Sequence, residues 1–375
     1  MRKAETEITF LIKGKNLTNL SNSILKAMDV KILNSTLKEL DVYLLQEKYK
    51  NIVLLLYDGL GSSILDKFLP KESFLQKNKV CNISSVFPAT TVAATTSVLT
   101  GLEPSEHGWL GWDMFFKDDN ETVSVYMNTI KDTSIPAKHN VKERPEMKYK
   151  TIIEKINEES SNDAYIVWPF DEKYPCNTLE EISERICALC DMPNKKFIYS
   201  YYNNPDKILH QEGFKSINVR NEITKIDKMT EKLYKILPSK TLIIVIADHG
   251  HIECEYKTLS EDNTLFELLE RTTALEPRAC SIKLKEKVDK DYFKNLFLKN
   301  YGNEFKLYSK EEVIEYQLFG EKIKNSIVTD NIGDFIAIAI KNTCLRYDQK
   351  GKAFKTYHAG ITKDEMEVPL IVLKK

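Results

Sequence analysis

Six apolar, largely β-branched runs set what this 375-residue chain can fold into: Ile52–Tyr57 (IVLLLY), Val80–Phe87, Ala164–Trp168 (AYIVW), Lys196–Tyr202 (KFIYSYY), Leu242–Ala247 (LIIVIA) and Val368–Leu373. None alternates apolar with polar residues, so each predicts a strand that is covered on both faces. Helical patterns fall between them, at Ser62–Phe68, Thr91–Leu99, Leu179–Cys190, Ile217–Leu237 and Leu265–Thr272. Strands buried on both faces that alternate with helices predict an α/β fold, a mostly parallel central sheet with helices on both faces. The rhythm breaks over 274–347, which carries its own strand, helix and strand pattern (RACSIKLK, KDYFKNLFLKNY, DFIAIAIKN). That stretch predicts a smaller α+β subdomain inserted into a single catalytic domain spanning 1–375. A second, more irregular excursion over 111–163 carries Tyr126 and His139.

Charge narrows the partners. Lys and Arg number 54 against 55 Asp and Glu, a net charge of -1, which leaves no broad positive field for nucleic acid or an anionic membrane. The expected partner is a small molecule. No apolar run approaches the roughly 18 to 20 residues of a membrane helix, and the mixed charges of the opening MRKAETEITFLIKGK form no secretory signal, so a cytoplasmic protein is expected. Seven cysteines at irregular spacing are expected to be reduced. Cys187 and Cys190 form a C-x-x-C inside a helical pattern with no second pair to complete a metal site, and read as helix packing.

In an open parallel sheet the ligand site lies beyond the carboxyl ends of the strands, so the residues just past each run are the informative ones. The first run ends in Asp58 (LLLYDG), and the fifth in Asp248, His249 and His251 (IVIADHGH). The fourth leads to Asp206 and His210 (YSYYNNPDKILH), while His358 stands in TYHAG just before the last run. Carboxylates and imidazoles delivered to one sheet edge from separate strands are the donor types of a divalent-metal site. Each has a plainer alternative. An Asp after a strand is often a helix cap or turn residue, Asp206 with His210 is either one helix face or a solvated loop pair, and His251 either orients a ligand or sits in an exposed loop. His107, in a P-S-E-H-G turn, reads as structural.

The second ingredient is FPATTVAATTSVLTGLEPSEHG, in which Pro88 makes a turn and Thr91 opens a helix. A Thr at that point is an N-cap, the reading preferred for Thr90, or a hydroxyl beside free backbone N–H groups that can hold an anion. Neighbouring cations would activate such a hydroxyl as a nucleophile.

Taken together, these residues make the chain resemble the alkaline phosphatase superfamily, in particular its nucleotide pyrophosphatase/phosphodiesterase branch. Y-D-G resembles the family's first metal-binding Asp, P-D-K-I-L-H its P-D-x-x-x-H, A-D-H-G-H its D-H-G, and Y-H-A-G its final H-x-G. F-P-A-T-T-V ahead of T-G-L-E-P-S-E-H-G resembles the nucleophile segment and places the attacking hydroxyl on Thr91, with Thr90 as runner-up. By that resemblance Asp206, His210 and His358 hold one metal, and Asp58, Asp248 and His249 the other, with Thr91 coordinated to the second. Two divalent ions are implied; Asp/His ligation suits Zn²⁺ and also accepts Mn²⁺.

The resemblance implies a two-metal hydrolase of phosphate esters, a phosphodiesterase or nucleotide pyrophosphatase that works through a covalent phosphothreonine. Its alternative is a phosphomonoesterase or phosphotransferase of the same superfamily, and more remotely a non-catalytic metal-binding relative. A sulfatase needs a Cys or Ser convertible to formylglycine where Thr91 stands. Two positions depart from the branch: Trp112 replaces the usual Asn that contacts a phosphate oxygen, and Val92 replaces the aromatic that comes after the nucleophile. Tyr201 matches the branch's other stacking aromatic, so Tyr201, Trp112 and Val92 are the expected substrate contacts. No Lys or Arg lies between Phe87 and Phe116, which favours a diester over a monoester, although Arg278 or Arg346 could enter from the insertion.

Overall fold

A computed structural model describes residues 14–351 and 353–375. The opening residues 1–13, which include most of the segment read for a secretory signal, lie outside them.

The central sheet has six strands, in the order Lys79–Ser84, Glu367–Lys374, Thr241–Ile246, Asn51–Tyr57, Lys196–Tyr202 and Asp163–Val167. Five point the same way, and Glu367–Lys374 runs antiparallel to both neighbours. The three middle strands are buried at every residue, as their unbroken apolar sequences require. One group of helices, Leu179–Asp191 and Ile217–Ile236 among them, and another containing Leu17–Ala27, Thr91–Thr100 and Ile152–Glu159, cover the sheet's two faces. Among the described residues no helix is long and apolar enough to cross a membrane.

Register fixes where the strand ends lie. Leu56 pairs with Tyr201 on one side and with Ile246 on the other, so the three middle strands end level with one another. The chain segments that leave those ends must share one small volume.

One expectation needs revising. The helix predicted over Leu265–Thr272 is a single turn, Asn263–Phe266, because the chain must reverse quickly into the strand Ala274–Glu276. The 274–347 stretch and the irregular excursion also share one element: strands Phe305–Ser309, Phe335–Ala339, Ala279–Ile282, Ala274–Glu276, Asp113–Phe116, Glu121–Ser124 and Thr129–Ile130 form a single seven-stranded antiparallel sheet. Its halves join where Leu275 pairs with Asp113, and Gly111 allows the approach, since a Cβ there would fall 2.9 Å from Leu275 Cα. Leu275 itself is in the left-handed region at φ 68, an uncommon conformation for a bulky residue, and Glu276 comes directly after it. That turn places Glu276 beside the nucleophile segment.

Candidate active site

Asp58 leaves the Asn51–Tyr57 strand, Asp248 and His249 leave Thr241–Ile246, and Asp206 opens the helix that comes after Lys196–Tyr202. His210 lies one turn along that helix, and His358 arrives on the segment that precedes Glu367–Lys374. The structure brings all six together and adds His251. Three groups have donor atoms close enough to share an ion: Asp58 with Asp248 and His249, Asp206 with His210 and His251, and Asp206 with His249 and His358.

Hydrogen bonding at the far side of each ring defines what the near side can do. His210 Nδ1 donates to the Thr356 carbonyl at 2.7 Å, His358 Nδ1 to that of Ala89 at 3.0 Å, and His249 Nδ1 to that of Gly250 at 3.1 Å. A carbonyl only accepts, so each ring carries its proton on Nδ1 and, when neutral, turns a bare Nε2 lone pair inward. Those lone pairs face carboxylate oxygens. His249 Nε2 is 3.3 Å from Asp58 Oδ1 and 3.4 Å from Asp248 Oδ2, while Asp206 Oδ1 lies 3.2 Å from His210 Nε2 and 3.7 Å from His358 Nε2. Asp248 Oδ2 is buried and has no hydrogen-bond donor.

Acceptors that face acceptors in a buried site are satisfied by an added proton or by a cation held between them. The spacing agrees, since tetrahedral ligation with bonds of about 2.0–2.1 Å separates neighbouring donors by roughly 3.3 Å. The donor set therefore fits divalent metal ions. Electrostatics points the same way: burial, then the neighbouring charges of Asp248 and Asp206, hold the Asp58 carboxyl well above its usual range. Burial likewise drives the His358 imidazole well down, and the adjacent His249, stacked at 3.7 Å, adds to this.

Thr91 opens the helix Thr91–Thr100, next in the chain after the strand Lys79–Ser84. Its first-turn N–H groups lack helical acceptors, and Gly101 at φ 70 closes the other end. Behind Thr91 the buried hydroxyls of Thr95, Thr96 and Thr100 each donate to the carbonyl four residues earlier, which lets a threonine-rich helix pack in the interior. Thr91 is the one partly exposed residue of the helix; its Oγ1 lies 3.2 Å from His249 Nε2 and 3.5 Å from Asp58 Oδ1. Thr90 is buried and does not cap the helix with its side chain. Its hydroxyl donates instead to Glu276 Oε1 at 2.6 Å, and the same oxygen accepts the Trp112 backbone N–H at 2.8 Å. Burial pushes the Glu276 carboxyl up to about 7. No strand end or motif in the sequence marked Glu276.

The expected substrate contacts fare unevenly. Val92 is fully buried in the cluster of Phe87, Trp109, Leu110 and Met114, because one helical step turns it about 100° away from the cleft that Thr91 faces. It cannot touch a substrate. Tyr201 is only 8% exposed, and its hydroxyl donates to Asp58 Oδ2, so it braces a candidate metal donor. The open aromatic beside it is Phe170, 67% exposed with its ring 6.4 Å from that of Tyr201, which sequence reasoning missed because it lies in a loop without a motif. Trp112 is 38% exposed and meets Tyr126 edge-on at 5.7 Å.

Arg278 does not enter the site: it is buried against Glu365, with Nη1 donating to the Thr343 carbonyl at 2.9 Å. Arg346 lines a cavity of about 120 Å³ together with Trp112, Glu276, Phe354 and Tyr357, and its Nη1 donates to the Gly351 carbonyl at 3.0 Å. His107 is structural, with its Nε2 3.0 Å from Ser97 Oγ. All seven cysteines are free.

A central sheet that delivers carboxylates, imidazoles and a helix-borne threonine to one edge defines a phosphoric ester hydrolase of the alkaline phosphatase superfamily. The sequence profile of the family described as Type I phosphodiesterase / nucleotide pyrophosphatase matches residues 52–363, and the chain belongs to that family. No curated protein matches it in sequence. Among solved structures it is similar to murine ectonucleotide pyrophosphatase / phosphodiesterase 5, at 18% identity and a TM-score of 0.65 over 86% of this chain and 88% of that one. The human protein of the same name matches at 18% identity and a TM-score of 0.63, over 86% of this chain and 87% of that one. An inactive Thr-to-Ala form of the murine protein, in complex with AMP, matches at 18% identity and a TM-score of 0.63 over 85% and 87%.

Proposed function

We propose that this enzyme cleaves nucleotide-type phosphodiesters or pyrophosphates through a phosphothreonine on Thr91. Asp206, His210 and His358 would hold one divalent ion and Asp58, Asp248 and His249 the other, with Zn²⁺ best suited to the Asp/His donors. The observation that carries the reading is the position of Thr91 Oγ1, 3.2 Å from His249 Nε2 and 3.5 Å from Asp58 Oδ1 at the mouth of a helix. When bound, the ions supply Lewis-acid polarisation of phosphoryl oxygens and lower the pKa of a coordinated hydroxyl.

The chain's own residues do the rest. Free N–H groups at the start of the Thr91 helix receive the phosphoryl oxygens. The Thr91 oxygen bonds to phosphorus as the ester oxygen departs on the opposite side, and its proton passes to solvent. Water then cleaves the phosphothreonine and restores the hydroxyl. Trp112 offers the phosphoryl group a single indole donor in place of an amide, and Phe170, laid across Tyr201, offers a flat face to a base. The AMP complex of the murine relative supports a nucleotide as the flat substituent.

The test compares kcat/KM for p-nitrophenyl phosphate with that for its phenyl or methyl diester. With no Lys or Arg from Phe87 to Phe116 to meet a terminal oxygen, the diester is expected to win by about ten- to a hundredfold. A monoester preference above tenfold would replace this reading with a phosphomonoesterase.

A further inference from the structure

His251 stands apart from the other histidines of the site in how its nitrogens are satisfied. His210, His249 and His358 each give Nδ1–H to a backbone carbonyl, which leaves Nε2 bare. His251 Nδ1 instead meets the Thr356 hydroxyl at 3.1 Å, a group able to donate. Its Nε2 lies 2.8 Å from Asp206 Oδ1, a hydrogen-bond length and shorter than the roughly 3.3 Å that separates two ligands of a tetrahedral ion. The proton of His251 therefore sits on Nε2 and points at the carboxylate.

We propose that His251 is a positioning residue that hydrogen-bonds Asp206 from behind, with the Thr356 hydroxyl fixing its ring. The oxygen it holds is the one that faces His210 Nε2 at 3.2 Å and His358 Nε2 at 3.7 Å. Thr356 serves both sides of this group, because its carbonyl orients His210 while its hydroxyl orients His251. Space for the arrangement is provided by Gly59, at φ 73, where a Cβ would fall 2.7 Å from His251 Nε2 and 3.0 Å from Asp206 Cα. His251 is 1% exposed, and its ring packs against those of His210, His249 and His358 at 4.9, 5.5 and 5.3 Å, so its direct neighbours are the candidate donors.

The inference rests on the proposed two-metal site, and its test is made on metal binding without substrate. Metal-free protein is titrated with Co²⁺ against a competing chelator, and the visible absorption of the bound ion is recorded for the parent, His251→Leu, His251→Gln and Thr356→Val. Failure of the parent to take up two ions overturns the two-metal reading itself. If the parent binds two, His251→Leu is expected to weaken one ion by about 10- to 100-fold and the other by less than threefold. The absorption band at saturation should keep its shape. His251→Gln, whose amide can still donate to Asp206, is expected to recover most of that loss, and Thr356→Val to weaken the same ion more mildly. The proposal is overturned if His251→Leu has no effect, if both ions weaken alike, if Gln is no better than Leu, or if the band changes shape, which would make His251 a ligand. Should metal-free His251→Leu fail to fold, Thr356→Val decides: weakening confined to one ion supports the proposal, and unchanged affinity ends it.

Discussion

His107, behind the nucleophile helix, is as deeply buried as His249 and His358 at the sheet edge, yet the two regions treat their imidazoles in opposite ways. His107 Nδ1 accepts the Trp109 backbone N–H at 3.0 Å, which leaves Nε2–H to donate to Ser97 Oγ at 3.0 Å. Both nitrogens are satisfied by neutral partners, and nothing further is needed. At the sheet edge Nδ1–H is given to a backbone carbonyl, while Nε2 of both rings opposes carboxylates, with the Thr91 hydroxyl also 3.2 Å from that of His249. Burial alone thus says little about whether a histidine is structural or functional. The partner of its second nitrogen does.

The largest effect expected from this contrast is at Thr91, the hydroxyl beside the imidazole of His249 that faces carboxylates. Thr91→Ala should lower kcat by about 10⁴-fold or more, about 5.5 kcal/mol, while two metal ions per chain remain bound. Metal analysis alongside kinetics checks this; a variant within tenfold of the parent would break the assignment of Thr91 as nucleophile.

Next in size is the pH response of His107, whose burial drives its pKa down from 6.5 to about 3. A depressed folded-state value stabilises the protein fully above the unfolded value, and that contribution is lost as pH falls from 6.5 toward 3. The slope from this one group should be about 1.4 kcal/mol per pH unit, on the order of 5 kcal/mol over the window. Urea unfolding at a series of pH values, compared with His107→Gln, should show a shallower acid loss in the variant; equal slopes would show that His107 does not govern acid stability.

The smallest effect is at Thr90. Thr90→Val removes a hydroxyl that donates to Glu276 and should cost about 1–2 kcal/mol in denaturant unfolding, with turnover within tenfold of the parent. A loss of activity near that of Thr91→Ala would exchange the roles of the two threonines.

Legibility in the sequence tracks the covalent route by which each residue reaches the site. Asp58 and the Asp248–His249 pair come directly after apolar runs, so the end of the run marks them, and Asp206 with His210 share a helix face at a four-residue spacing. His358 follows no run and is marked only by standing in TYHAG just before the last one, so its assignment to a metal comes from the family resemblance. Glu276 and Phe170 escape sequence reasoning because their neighbours are set by tertiary contact. The pairing of Leu275 with Asp113 joins stretches more than 150 residues apart, and no periodicity in either one announces the other. Val92 is misplaced for the converse reason: the resemblance gives it a role, but the helix turns it into the core.

The antiparallel strand Glu367–Lys374 bears on how the enzyme is made. It is inserted between Lys79–Ser84, which leads to Thr91, and Thr241–Ile246, which leads to Asp248 and His249. Those two strands have no pairing of their own, and the wedge between them leaves the ribosome after both. The strand pairing that ties the nucleophile segment to the strand of Asp248 and His249 thus runs through Glu367–Lys374, the last strand in the chain order. The central sheet is therefore completed by one long-range closure, in which the strand carrying the end of the described chain joins two halves made of much earlier segments.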